Sequence, residues 1–237
     1  PFFKRYGGKW RAAPRYPAPE HGTIVEPFAG AAGYALRHAE RSVVLVDADP
    51  VIVGIWQFLI GATEAEILSL PDVADDQTVD DVRAPQEARH LIGFWLNGGT
   101  ANPCKRPSAW MREGSRPGVY WGQLARERIA SQLASIRHWR VKCGDYRGAE
   151  QASPATYFVD PPYVVAGHHY RHGSRDLDFD ALGAWCRGLR GQAIVCEAQG
   201  AGWLPFEAMK DQLSTPGRGR DGKSKEAIWT NGERQAS

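Results

Sequence analysis

The chain has 237 residues, 43% of them hydrophobic and 24% charged, with a formal net charge of +2. These values suit a globular protein with one large domain, or one domain carrying an insertion. No apolar run is long enough to span a bilayer and the basic start lacks an apolar stretch of signal-peptide type, so a cytoplasmic location is expected.

Residues 23–26 (TIVE) read as a short buried strand that stops at Pro27. Gly30 and Gly33 mark a turn, and YALRHAE (34–40) reads as a helix. SVVLV (42–46) is a second β-branched apolar run, ending at Asp47. Asp49-Pro50 is a helix start, an acid at the N-cap and proline at the first helical position, so a helix is expected through VIVGIWQFLIG (51–61). Strand, helix, strand, helix at this spacing opens a parallel α/β sheet.

The middle of the chain differs. PQEARHLIGFWLN (85–97) and YWGQLARERIASQLASIRHW (120–139) have helical periodicity, with Leu124, Ile129, Leu133 and Ile136 placed near one face. Between them runs a long Gly/Pro/Arg-rich loop, GGTANPCKRPSAWMREGSRPG (98–118). Strand patterns resume with WRVKC (139–143), TYFVD (156–160) and QAIVCE (192–197), the last two separated by the helix-like DFDALGAWCRGL (178–189). The expected architecture is a doubly wound, Rossmann-like core from residues 1–63 and 140–237, interrupted by a helical insertion at 64–139.

Charge is unevenly spread. Residues 72–81 (DVADDQTVDD) are acidic, whereas 105–147 are rich in Lys and Arg, as are 4–11 (KRYGGKWR) and 218–225 (RGRDGKSK). Basic segments interleaved with Trp and Tyr suit a polyanion with stackable bases; a solvated surface is the plainer alternative. Cys104, Cys143, Cys186 and Cys196 lack CxxC spacing, and free thiols are expected.

Two turns carry chemistry. The first βα turn, VEPFAGAAGYAL (25–36), has small residues where a backbone could approach a ligand, and Asp47 after the second strand could hold a ribose. The same pattern serves dinucleotides and S-adenosylmethionine, and an ordinary tight turn would also account for it. The second is DPPY, residues 160–163. Two prolines lack N–H groups and fix φ, so the strand must end in a stiff turn. Asp160 and the Pro161 carbonyl could both accept N–H bonds from an exocyclic amine, freeing the nitrogen lone pair to attack a sulfonium methyl. Tyr163 could stack on an extruded base. The alternative is a structural turn with an incidental acid.

KRYGGKW (4–10), VEPFAGAAG (25–33), VDADP (46–50), CGDY (143–146) and FVDPPY (158–163) occur in the order found in Dam-like, D12-class DNA N6-adenine methyltransferases. The chain resembles that family over nearly its whole length, and phage-borne members in particular, including KEAIWTN (225–231). The resemblance implies an S-adenosylmethionine-dependent methyltransferase fold whose insertion reads double-stranded DNA, with no metal. It implies that Tyr6, Gly7, Gly8 and Lys9 border the methionine end of the cofactor. Glu26, Pro27, Phe28 and Gly30 form its turn, Asp47 takes the ribose, and Asp145 and Tyr146 meet its adenine. Asp160, Pro161, Pro162 and Tyr163 form the catalytic loop, with Asp160 also at the cofactor. The sequence departs from the family's Phe-x-Gly-x-Gly at Ala32, where the second glycine would stand.

DNA contacts are expected from Lys105, Arg106, Arg112 and Arg116, from His169, Tyr170 and Arg171, and from Arg218, Arg220 and Lys223. Alternatives are methylation of another exocyclic amine (cytosine N4, or adenine in RNA) and DNA binding without catalysis. Pro103-Cys104 resembles the nucleophile of cytosine-C5 enzymes but sits in the basic loop, where a non-catalytic cysteine is expected. His168, His169 and His172 suggest a loop near DNA ahead of a zinc site.

Overall fold

The computed structural model describes residues 1–113, 118–164, 173–209 and 226–232. Its centre is a seven-stranded mixed sheet in the order β3-β2-β1-β4-β5-β7-β6. The strands are β1 (Thr23–Glu26), β2 (Ser42–Asp47), β3 (Arg140–Cys143), β4 (Ala155–Val159), β5 (Gly191–Ala198), β6 (Glu207–Ala208) and β7 (Glu226–Thr230). β1 to β5 are parallel, with Ile24 beside Val43 on one side and Thr156 on the other. β7 runs antiparallel to both β5 and β6. This is an α/β fold of Rossmann-like form.

Parallel strands covered on both faces read as continuous apolar runs, and β4 is buried at all five positions. Alternate residues feed two cores: Ile24, Leu45, Phe158 and Ile194 face one side, Val25, Val44, Tyr157 and Val195 the other. Helix α6 (Phe179–Gly188) covers the second face through Leu182 and Cys186. The first face is covered by α1 (Pro50–Gly61), which begins as expected, with the Asp49 side chain accepting the Val51 N–H.

Residues 64–139 contain α2 (Glu64–Leu68), α3 (Gln86–Leu96), α4 (Ala109–Arg112) and α5 (Gln123–Ala130) and, among the described residues, no strand. Their apolar side chains join the core around Trp56: Leu91, Phe94, Trp95, Ile129 and Leu133 lie in one cluster with Phe2, Phe3 and Trp56.

Three expectations about local structure change. The helix expected over 34–40 is a 3-10 turn, Ala35–His38, because the chain leaves the glycine turn at residue 33 and must enter β2 at Ser42. The helix expected over 120–139 covers Gln123–Ala130 and gives way to a 3-10 turn at Leu133–Ile136. Leu124 leaves the shared face and is 49% exposed, while Ile129, Leu133 and Ile136 are buried. The long basic loop holds one helical turn, α4, capped by the Ser108 hydroxyl.

Candidate functional site

In an open α/β sheet, ligands bind beyond the carboxyl ends of the strands where strand order reverses. Here that point lies between β1 and β4, and a cavity of about 260 Å³ opens there. Glu26 closes β1 and Asp160 follows β4, so adjacent parallel strands deliver both acids to its floor. Asp47 arrives from the end of β2, and Gly144, Asp145 and Tyr146 from the end of β3. Tyr6, Gly7, Gly8, Lys9, Pro27, Phe28 and Gly30 line the same cavity, so the structure gathers all the residues expected at a cofactor. Pro162 lines it too; Tyr163 packs beside it, its ring 4.7 Å from the Lys9 ammonium.

The glycine turn is shaped by backbone conformation and close approach. Gly30 and Ala32 both have φ of 47°, in the left-handed region. The departure at Ala32 therefore leaves the turn in a glycine-like conformation, with strain held in a buried alanine. Gly33 has another role. A Cβ there would lie 2.5 Å from the Trp10 nitrogen and 2.8 Å from the Lys9 carbonyl carbon, so glycine lets the Lys9–Trp10 backbone press onto the turn. This seats Lys9 over the floor.

Lys9 is buried, its ammonium 3.0 Å from Asp160 Oδ1 and 3.1 Å from Glu226 Oε1 on β7. It also donates to the Gly7 carbonyl. Glu226 accepts the Tyr16 hydroxyl at 3.0 Å and the Tyr163 hydroxyl at 3.3 Å. Burial alone would lower the Lys9 pKa, but the two carboxylates raise it well above the usual lysine value. Burial would raise Glu226, yet Lys9 and the hydroxyls hold it below the usual range. Asp160 is pushed up to about 6 by burial, opposed by Lys9 and reinforced by Glu226. Although Lys9 stands close, Asp160 Oδ1 is buried and accepts no well-aligned hydrogen bond among the described residues. A buried oxygen with unfilled accepting capacity is costly unless a donor arrives.

Glu26 accepts the Ala35 N–H at 2.6 Å, and burial, with a contribution from Asp160, raises its carboxyl to about 8. Asp47 accepts N–H bonds from Gly30 and Asp49, both at 2.9 Å, and burial raises it despite Arg5, whose guanidinium lies 3.9 Å away. Asp145 caps its own turn and pairs with Arg147 at 2.7 Å. Tyr146 stacks against Phe28 with ring centroids 5.9 Å apart, forming an aromatic wall. The Tyr146 hydroxyl is buried without a partner among the described residues.

Sequence reasoning missed several lining groups: Arg5, Asp49, Arg147, Asp176 and Asp178. With them the lining among the described residues holds Glu26, Asp47, Asp49, Asp145, Asp160, Asp176 and Asp178 against Arg5, Lys9 and Arg147, seven acids to three bases. Even with Glu26 protonated this described lining is electronegative. Glu226 was missed as well; KEAIWTN was the only signal for it.

Of the residues expected at DNA, the three that are described lie outside this lining. Lys105, Arg106 and Arg112 are exposed. Lys105 pairs with Asp80 at 2.8 Å and Arg126 with Asp72, so the acidic stretch partly neutralises the basic one. Arg116, His169, Tyr170, Arg171, Arg218, Arg220 and Lys223 lie outside the described residues, as do His168 and His172. Cys104 donates its backbone N–H to the Gly93 carbonyl and packs on α3, where a Cβ on Gly93 would collide with it. The four cysteines are free thiols, two of them buried. No cluster of metal-ligating side chains occurs among the described residues, and no helix among them is long and apolar enough to cross a membrane.

Compared with known proteins, the chain matches no family model, and no curated protein matches it.

Proposed function

We propose that the chain is an S-adenosylmethionine-dependent methyltransferase acting on N6 of adenine in double-stranded DNA. The observation that carries this reading is Asp160 Oδ1: a buried carboxylate oxygen with unfilled accepting capacity, on a stiff Pro-Pro turn beside an acidic cavity. The residues present fit the cofactor. An electronegative lining favours a sulfonium and an ammonium and disfavours the pyrophosphate of a dinucleotide. The Phe28–Tyr146 wall suits an adenine ring, and Asp47 and Asp49 suit ribose hydroxyls. When bound, the cofactor supplies an electrophilic methyl group.

The chain's own residues do the remainder. Asp160 accepts one N–H of the target amine and the Pro161 carbonyl can accept the other, favouring a nitrogen with its lone pair available. The Pro-Pro turn holds both acceptors without reorganisation at the moment of transfer. Once the nitrogen carries the methyl group it must lose a proton, and Asp160 is the buried base beside it. Lys105, Arg106 and Arg112, exposed on the insertion, supply phosphate contacts.

The test is incorporation of labelled methyl from S-adenosylmethionine into duplex DNA, with the product nucleoside identified by mass spectrometry. N6-methyladenine is expected, and Asp160→Asn should reduce turnover by at least about 10²-fold with cofactor affinity nearly unchanged. Label in N4-methylcytosine or only in RNA would reassign the substrate. DNA binding with no incorporation would make the chain a binding module.

A further inference from the structure

Glu226 lies in no sequence element of the proposed catalytic loop, yet it meets three groups around Asp160. Its Oε1 stands 3.1 Å from the Lys9 ammonium, and it accepts the hydroxyls of Tyr163 and Tyr16. The side chain is 15% exposed, on the first residue of β7. Register sets it opposite Ala198, at the end of β5, and so close to the carboxyl end of β4. Lys9 approaches Asp160 to 3.0 Å and Glu226 to 3.1 Å without hydrogen-bond alignment on either, and its aligned bond among the described residues goes to the Gly7 carbonyl. The ammonium is thus divided between two carboxylates and committed fully to neither.

We propose that Glu226 is a positioning residue, which shares the Lys9 ammonium with Asp160 and so leaves Oδ1 open to the N–H of the target amine. The inference rests on the reading of Asp160 given above. When the target amine enters, Lys9 turns further onto Glu226 and remains neutralised, so no unpaired charge is left buried. Without Glu226, the ammonium has only Asp160 to pair with and occupies the oxygen the amine needs.

Other charged and titratable groups bear on Asp160. Glu26 faces it from β1, Cys196 from β5 and Tyr163 from its own loop, with Tyr16 behind Glu226. Lys9 is the cation paired with it among the described residues. Removing the Glu226 charge takes away a repulsion on the Asp160 carboxylate and tightens its attraction to Lys9. Both changes favour the ionised form, so its titration must move to lower pH.

Glu226→Gln retains an oxygen for the two hydroxyls and removes the charge. We expect turnover to fall by about 10- to 10²-fold with cofactor affinity within a factor of about two. The acid limb of the turnover profile should move down in pH, and Glu226→Asp should restore its position. In a Lys9→Met background Glu226→Gln should have little further effect on turnover, since the residue acts through Lys9. A second arm needs no substrate: the Asp160 carboxyl, assigned with Asp160→Asn, is followed by NMR titration of aspartate-labelled protein, with Glu226→Asp carrying this arm if Glu226→Gln does not fold. A lower Asp160 titration midpoint in Glu226→Gln, or a wild-type midpoint in Glu226→Asp alongside a lower one in Glu226→Ala, supports the proposal. An unchanged midpoint in every Glu226 variant overturns it, as does a loss of turnover that simply follows a loss of thermal stability. Failure of the wild-type chain to methylate any nucleic acid would instead overturn the proposed function, leaving the titration arm to judge Glu226.

Discussion

Replacing Lys9 with Met tests the charge network most directly, because methionine nearly preserves the volume and removes the cation that lies between two buried acids. With ammonium–carboxylate distances of 3.0 and 3.1 Å, each pair is attracted by about 5 kcal/mol at an effective dielectric of about 20. Desolvation offsets much of that, several kcal/mol for each ion, so the intact triad contributes little net stability. Breaking it is a different matter, because Asp160 and Glu226 would remain buried without a countercharge, Glu226 keeping only its tyrosine hydroxyls. We expect a loss of about 3–5 kcal/mol at neutral pH, with about 1 kcal/mol of that from the lost contact with the Tyr163 ring. The deficit must depend on pH. Asp160 already has a folded pKa raised to about 6, and loss of Lys9 raises it further. An acid with a raised folded pKa destabilises the fold above that value and ceases to do so as it takes up a proton. The deficit should therefore be full near pH 8 and shrink on acidification to roughly pH 5. Urea unfolding of both proteins across that range, followed by tryptophan fluorescence, is the assay. A deficit below about 1 kcal/mol, or one independent of pH, would refute the claim that Lys9 neutralises these two acids.

Ala32→Gly should stabilise the fold by about 1 kcal/mol, the relief of a left-handed alanine less the added entropy of the unfolded chain, read as a rise of a few degrees in Tm. Gly33→Ala should destabilise it by about 1–3 kcal/mol, since the new methyl meets the backbone of Lys9 and Trp10, and activity should fall with it; a neutral result in denaturant titration would show that the approach can relax. Phe28→Ala and Asp47→Ala should each weaken S-adenosylmethionine binding measured by calorimetry, about tenfold for a lost wall or hydrogen bond, and unchanged affinity in both would place the cofactor elsewhere. Turnover of the wild-type chain should fall as pH drops through about 6, where Asp160 becomes protonated and can no longer serve as an anionic acceptor or take up the amine proton; a flat profile down to pH 5 would contradict this role.

β1, β2, β4 and β5 were legible because each centres on an apolar run bounded by Pro, Gly or Asp, and burial on both faces demands such runs, whereas β3 (RVKC) is the largely exposed edge strand and shows only alternation. Asp49-Pro50 fixed the start of α1 for local reasons that tertiary structure had no cause to override. Leu124 was misplaced because it lies five residues before Ile129, a spacing that leaves the helical stripe. The two-residue β6 carries too little pattern to read, and its pairing with β7 has no tight-turn signal. At the site, residues on strand ends were visible through VEPF, VDADP and DPPY. Glu226 was not, because a glutamate opening a strand reads as surface unless its partners are known, and those are Lys9, Tyr16 and Tyr163 from distant segments. Ala32 shows the reverse: the residue type departs from glycine, and the surrounding structure holds the left-handed conformation regardless.

The sequence distance across this network has a consequence for how the protein comes into being. Tyr16 and Glu226 are hydrogen-bonded across 210 residues, and Phe2 accepts the Trp95 indole N–H across 93. Contacts so far apart in the chain are slow to form, because loop closure must precede any gain from them. At synthesis rates of about 5–20 residues per second, Lys9 and Asp160 must wait on the order of ten seconds or more after Tyr16 emerges before β7 exists. From the emergence of β5 until that of β7, β5 has an open edge where β7 will pair, and the Lys9–Asp160 pair lacks its third member. The nascent chain can thus acquire most of its sheet while its cavity floor remains electrostatically incomplete. The network closes only when the strand that begins with Glu226 pairs with β5.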